Sequence, residues 1–187
     1  MIPIGDRAFL ALPLLLVLTG SVLSQPATMT WPEAVAQLTS ARTRAENCVA
    51  FMKRYGDREQ VTRGQLTYAN AKADADAVIA GLITALSAGQ GPASLSSLEA
   101  RLSSGVSGLG DFCNTVHKLV PSTAGEKGGF LAVALPVTIP PLLKMLSDSV
   151  TALVDTYGKA DALTRATIKT QLEAARWPAF SEVKPAE

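Results

Sequence analysis

The sequence predicts an all-α fold: a helical bundle with a three-helix, up-down-up core and two further helices packed alongside. Three observations carry this prediction. Apolar residues recur at spacings of three, four and seven through most of the chain, which is the period of a helix face. Capping signals, prolines and glycines cut the chain into helix-length pieces. The only two cysteines, Cys48 and Cys113, fall at the same depth in the first and third of those pieces.

The first helix is expected from Trp31 to Tyr55. Thr30-Trp31-Pro32-Glu33 has capping-box form, with a hydroxyl before the helix and a glutamate three residues later. Pro32 sits in the first turn, where its missing N–H costs nothing. Trp31, Val35, Leu38, Ala45, Cys48, Met52 and Tyr55 form one stripe. Gly56 reads as a left-handed stop.

The second helix is expected after Thr62-Arg63-Gly64-Gln65, another box-like run, and extends to about Ala88. Its middle alternates alanine with polar residues. Alternation can signal a strand, but Ala, Asp, Asn and Lys are poor strand formers and alanine is the best helix former. The small residues would let a neighbouring helix approach closely. Asp74 and Asp76 are two apart, so they do not share a helix face.

Gly89-Gln90-Gly91-Pro92 makes the next turn. A third helix begins at Ser94 or Ser96, with Leu95, Leu98, Leu102, Leu109, Phe112, Val116 and Leu119 in rhythm. Val106, Cys113 and Val120 widen that stripe, which implies cover on more than one side. Gly105, Gly108 and Gly110 each cost roughly 1 kcal/mol relative to alanine. They mark either a close backbone approach or a locally weak helix. Pro121 ends the element. Thr138 can cap a fourth helix that carries Pro140 and Pro141 in its first turn and runs to Tyr157. A last helix spans about Asp161 to Trp177, with Leu163, Ile168, Leu172 and Ala175 on its buried side. Trp177 and Phe180 should pack back on the bundle, and the polar tail from Ser181 should fray.

The cysteines constrain the packing. Cys48 lies 17 residues after Trp31, and Cys113 lies 17 after Ser96. At ~1.5 Å per residue both sit about 25 Å along their helices. Helices one and three run parallel if direction alternates, so the thiols meet at one level. A disulfide needs Cα atoms within about 7 Å. The diagonal of a square four-helix bundle is longer than that, and so a three-helix core is favoured. The pair is read as structural, because redox cysteines usually sit close together near a helix start.

The N-terminus reads as a secretory signal over residues 1–24, leaving a single helical domain over 25–187. Arg7 precedes an apolar run from Ala8 to Leu18, and Val22 and Ser24 fit the small-residue positions before a cut at Gln25. The run is shorter than the ~20 residues of a membrane span, and Pro13 interrupts it. Asn47, Asn70 and Asn114 lack a Ser or Thr two positions on, so no glycosylation sequon exists. Together with the alanine-rich composition, this favours a bacterial periplasm.

The net charge is +1 with 5% aromatic residues. A near-neutral chain is a poor nucleic-acid binder, because phosphate neutralisation dominates that affinity. The locally basic stretch holding Arg42, Arg44, Lys53, Arg54, Arg58 and Arg63 reads as a solvated face. One histidine, His117, beside a paired Cys48 and Cys113 leaves no zinc set. No nucleophile-elbow, Walker-type or dinucleotide motif is present, and no cofactor is expected.

One stretch stands out. Phe130 to Leu143 runs fourteen residues without a charge and carries Pro136, Pro140 and Pro141. Phe130, Leu131, Val133, Leu135, Val137, Ile139, Leu142 and Leu143 are candidates for an interaction surface, with burial in the core the competing reading. The chain is therefore expected to be an exported, noncatalytic helical protein that binds or scaffolds a protein or envelope component. Two alternatives accompany it. One is an envelope-polymer hydrolase whose carboxylates the fold assembles. The other is peripheral membrane association through residues 130–143.

Overall fold

A computed structural model describes residues 29–88, 96–120 and 139–187. The described residues form five helices: α1 (Trp31–Tyr55), α2 (Arg58–Ser87), α3 (Ser96–Leu119), α4 (Ile139–Tyr157) and α5 (Ala162–Ala174). The all-α class and the bundle follow the sequence pattern.

Local signals set most of the boundaries. At the start of α1 the Glu33 carboxylate accepts from the Thr30 backbone N–H at 2.8 Å and from its hydroxyl at 2.7 Å. Those bonds hold the Glu33 carboxyl below its ordinary range. α5 is capped by Asp161, whose carboxylate accepts from the Thr164 N–H at 2.7 Å and is likewise held low. The start of α2 differs from the expectation. The helix begins at Arg58, and Asp57 and Gln60 form its capping box. Asp57 accepts from the Gln60 N–H at 2.8 Å, and Gln60 Oε1 accepts from the Asp57 N–H at 2.8 Å. Thr62 to Gln65 lie one turn inside, where the box-like spelling has no orphan amides to satisfy.

Gly56 also differs. Its φ is −78° and ψ is 140°, so the backbone is extended and not left-handed. Space, not conformation, favours glycine there. A Cβ would lie 2.7 Å from the Met52 carbonyl oxygen and 3.0 Å from Met52 Sδ.

The contacts fix the helix directions. Early in α2, a Cβ on Gly64 would sit 3.1 Å from the Phe112 ring, late in α3. Late in α2, Gly81 faces Leu98 at the start of α3. These two helices are therefore antiparallel. Gly64 also faces Met52 near the end of α1, while Leu38, Val78 and Leu102 border one small cavity. So α1 and α3 run together and α2 runs against both.

α2 and α3 approach closely because both carry small residues at the seam. A Cβ on Gly105 would lie 3.3 Å from the Ala71 carbonyl oxygen and the Ala75 nitrogen, and one on Gly108 3.0 Å from Ala71 Cβ. Gly105 and Gly108 thus serve the close approach of α2 to α3. Asp74 adds a polar tie, accepting from Ser104 Oγ at 2.5 Å with Arg101 at 3.8 Å.

The fourth helix is part of the core. Leu142, Leu146, Val150 and Leu153 join the same buried cluster as Val49 and Met52 of α1 and Leu109 and Val116 of α3. Burying each such side chain contributes roughly 1.5–3 kcal/mol. Ser149 is fully buried, and its hydroxyl is satisfied by the Met145 carbonyl at 2.8 Å. From α5, Ile168 and Leu172 are fully buried and Ala175 nearly so. Leu163, expected on that side, is 78% exposed. It sits in the first turn of α5, before the helix meets the bundle with Ile168.

A cavity of about 30 Å³ remains where these elements meet, lined by carbon-rich side chains such as Leu38, Val78, Leu102, Leu146 and Trp177. Its lining offers water almost no polar partner.

Candidate functional site

The disulfide is the first predicted site that the structure places. Cys48 and Cys113 are bonded, with Cα atoms 5.4 Å apart across 65 positions. Both are almost fully buried, at 1% and 3% exposure. That geometry suits a staple and denies a thiol reagent access.

The apolar stretch is placed in part. Leu142 is buried in the core, and Ile139 and Leu143 are half-buried against it. Phe130, Leu131, Val133, Leu135 and Val137 lie outside the described residues, as does the expected signal over residues 1–24. His117 is exposed near the end of α3. Asp74 faces α3, whereas Asp76 pairs with Lys72, so the two carboxylates diverge. Among the described residues, no three His, Cys, Asp or Glu side chains gather as a metal site would require. No described helix is long and apolar enough to cross a membrane.

The site that sequence reasoning missed lies between α2 and the C-terminal segment. α5 ends at Ala174, and the chain continues without helix. Trp177 and Phe180 pack back on the bundle as expected, and the tail from Ser181, expected to fray, is bound as well. Trp177, Phe180 and Val183 are buried, at 6%, 8% and 6% exposure. A turn shapes the segment: the Glu182 N–H donates to the Ala179 carbonyl at 3.0 Å, and the Ala179 N–H donates to the Glu182 carboxylate at 2.8 Å. The Ala186 N–H donates to the Ala50 carbonyl of α1 at 3.1 Å.

Arg42, Lys53 and Arg54 of α1 bond the C-terminal part of the chain, which corrects the solvated-face reading for these three, whereas Arg58 and Arg63 are exposed as that reading expects. Arg42 donates to the Ala174 carbonyl at 2.8 Å. Lys53 donates to the Val183 carbonyl at 2.6 Å and to that of Ser181 at 3.4 Å. Arg54 donates to the Ala186 carbonyl at 3.4 Å. A cation here stabilises by meeting carbonyl dipoles of a segment some 130 residues away, so no local charge pattern announces it.

Tyr68 joins the pieces. It is fully buried and its hydroxyl donates to the Pro178 carbonyl at 2.8 Å. Its ring meets Phe112 at 5.4 Å, Trp177 at 6.2 Å and Phe180 at 6.0 Å between centroids. Lys53 Nζ lies 5.2 Å from the centre of the Phe180 ring. Burial pushes the Tyr68 phenol far above its ordinary value, and the negative charges of Asp76 and Glu46 add to the shift. The hydroxyl is therefore held protonated and donating.

Outside this cluster runs a groove of about 370 Å³. Gln65, Ala69, Lys72, Ala73 and Asp76 of α2 form one wall, their spacings of three and four placing them on one face. Ala179, Phe180 and Ser181 form the other, with Tyr68 beneath. Lys72 and Asp76 are ion-paired one turn apart, each about one quarter exposed. The Asp76 Oδ2 atom takes that bond, while Oδ1 is buried without a partner. The groove is shallow and more open than enclosed, with apolar and polar groups on its walls. The arrangement can hold an apolar body and a polar arm. It places no second carboxylate opposite Asp76.

No family model matches the chain, and no curated protein or solved structure is significantly similar to it.

Proposed function

We propose that this chain is an exported, noncatalytic helical protein that binds or scaffolds a partner in the bacterial cell envelope. The disulfide carries the export half. A bond joining two core helices persists in an oxidising compartment and is rare where thiols are kept reduced. The signal-like leader and the absence of sequons in the sequence agree with a periplasmic address. The groove supports the binding half. Two of its polar groups are tied to structure, Asp76 through its pair with Lys72 and Tyr68 through its bond to a backbone carbonyl, while one Asp76 oxygen has no partner.

Site-specific photo-crosslinking tests the binding half. A photoreactive residue replacing Ala73, which is exposed on the groove wall, should yield a discrete adduct in the producing cell. The same residue replacing Thr151, exposed on α4, should yield none. Equal labelling at both positions, or none at Ala73, would remove the groove from the account.

A further inference from the structure

We propose that the Cys48–Cys113 bond is made by thiol–disulfide exchange on the open chain, before the helices close, and that the closed bundle then seals it against exchange in either direction. The reaction is supplied by an oxidant that carries a reactive disulfide and acts on unfolded segments. The inference rests on the surroundings of the two sulfurs and not on the binding reading of the groove.

Exchange needs room at sulfur. The thiolate of one cysteine attacks a sulfur of the oxidant's disulfide; a mixed disulfide forms and one oxidant thiol leaves. The thiolate of the second cysteine then attacks the first cysteine's sulfur, and the second oxidant thiol leaves. Two electrons and two protons pass from the chain to the oxidant. Between the two steps one cysteine carries the whole oxidant molecule. The folded chain has no space for it. Cys48 and Cys113 are almost fully buried, and α1 and α3 each pack on both α2 and α4. Met52 stands one turn beyond Cys48, and Phe112 directly precedes Cys113. A Cβ on Gly64 of α2 would lie 2.8 Å from Met52 and 3.1 Å from Phe112. So α2 covers the joined level with no room there for even one added carbon. Neither the small cavity nor the groove is lined by a cysteine.

The same burial acts in both directions, because making and breaking the bond pass through a mixed disulfide at the same sulfurs. A bundle that closes oxidised keeps its bond even where reductant is present. A bundle that closes reduced keeps its thiols from the oxidant. Whichever state the helices close on persists until they open. The chemistry of the oxidant follows too. The chain has two cysteines, so no wrong pairing within it exists to be corrected. A disulfide donor is sufficient, and isomerisation is not needed.

Reduction of the oxidised chain by dithiothreitol across a urea series tests this, since the bond breaks through the same open state in which it forms. In buffer the bond should be reduced at least ~1,000-fold more slowly than in the unfolded chain, in keeping with the small unfolded fraction of a stable domain. The rate should climb with urea along the slope of the unfolding equilibrium. Ile168→Ala removes a fully buried side chain of α5 and alters neither α1 nor α3. It should speed reduction in buffer by the factor by which it raises the unfolded fraction, on the order of 100-fold. A wild-type rate in buffer within about tenfold of the unfolded rate would overturn the proposal. So would a rate that ignores urea below the transition, because local access to the sulfurs would then suffice. Labelling at Ala73 bears on none of these rates, so the groove reading and this one fail separately.

Discussion

Replacing Cys48 and Cys113 together with alanine should cost about 4 kcal/mol of stability in the chain-entropy treatment of a loop this long. The effect acts mainly on the unfolded chain, which regains the freedom that a closure across 65 positions removes. Small domains are stable by only about 5–15 kcal/mol, so this loss is a large share. Urea denaturation of the oxidised wild type against the double variant measures it directly. The slope should rise in the variant as well, because an unlinked unfolded chain exposes more surface. A difference below about 1 kcal/mol would mean that the reduced, unfolded chain keeps α1 and α3 together without the bond.

Tyr68→Ala should be comparably severe, at about 3–5 kcal/mol, the usual cost of removing a large buried aromatic side chain. The position explains why. Tyr68 is fully buried among Phe112, Trp177 and Phe180, and it is the point where α2, α3 and the C-terminal segment meet. Tyr68→Phe keeps the ring and orphans only the Pro178 carbonyl, so it should cost about 1–3 kcal/mol. Denaturation midpoints of the two variants separate packing from hydrogen bonding. Equal losses would assign the site to the hydroxyl. The phenol also sets an alkaline limit. Its folded-state pKa is raised, so its contribution is intact below the ordinary tyrosine value near 10 and declines as pH rises past it. Tyr68→Phe should remove that part of the alkaline loss.

What the sequence discloses here follows the range of the forces involved. α1 is legible to the residue, because Thr30, Pro32 and Glu33 are local signals and its stripe is regular. The disulfide is legible because two helix starts and a constant rise put Cys48 and Cys113 level. The start of α2 is misread because two capping boxes stand five residues apart, and only the upstream one, at Asp57, follows the end of α1 closely enough to close the turn. Gly56 is misread for a related reason: with the next cap immediately after it, the chain needs an extended residue. The groove and its support are not legible. Arg42, Lys53 and Arg54 bond carbonyls more than 125 positions away, and nothing in a hydropathy pattern marks a backbone acceptor. Leu163 shows the converse limit. Apolar character predicts a buried side only where a neighbouring element covers it, and the first turn of α5 lacks such cover.

The account centres on an exported bundle pinned by an internal disulfide, and one measurement addresses both parts. Protein recovered from the envelope fraction is unfolded without reductant, treated with an alkylating reagent and weighed intact. The predicted mass is that of a chain beginning near Gln25 with no alkyl group added and two hydrogens missing. A mass that retains Met1 would contradict the exported, processed state. A mass carrying two alkyl groups would contradict the Cys48–Cys113 bond, and with it the staple on which the fold and its proposed compartment depend.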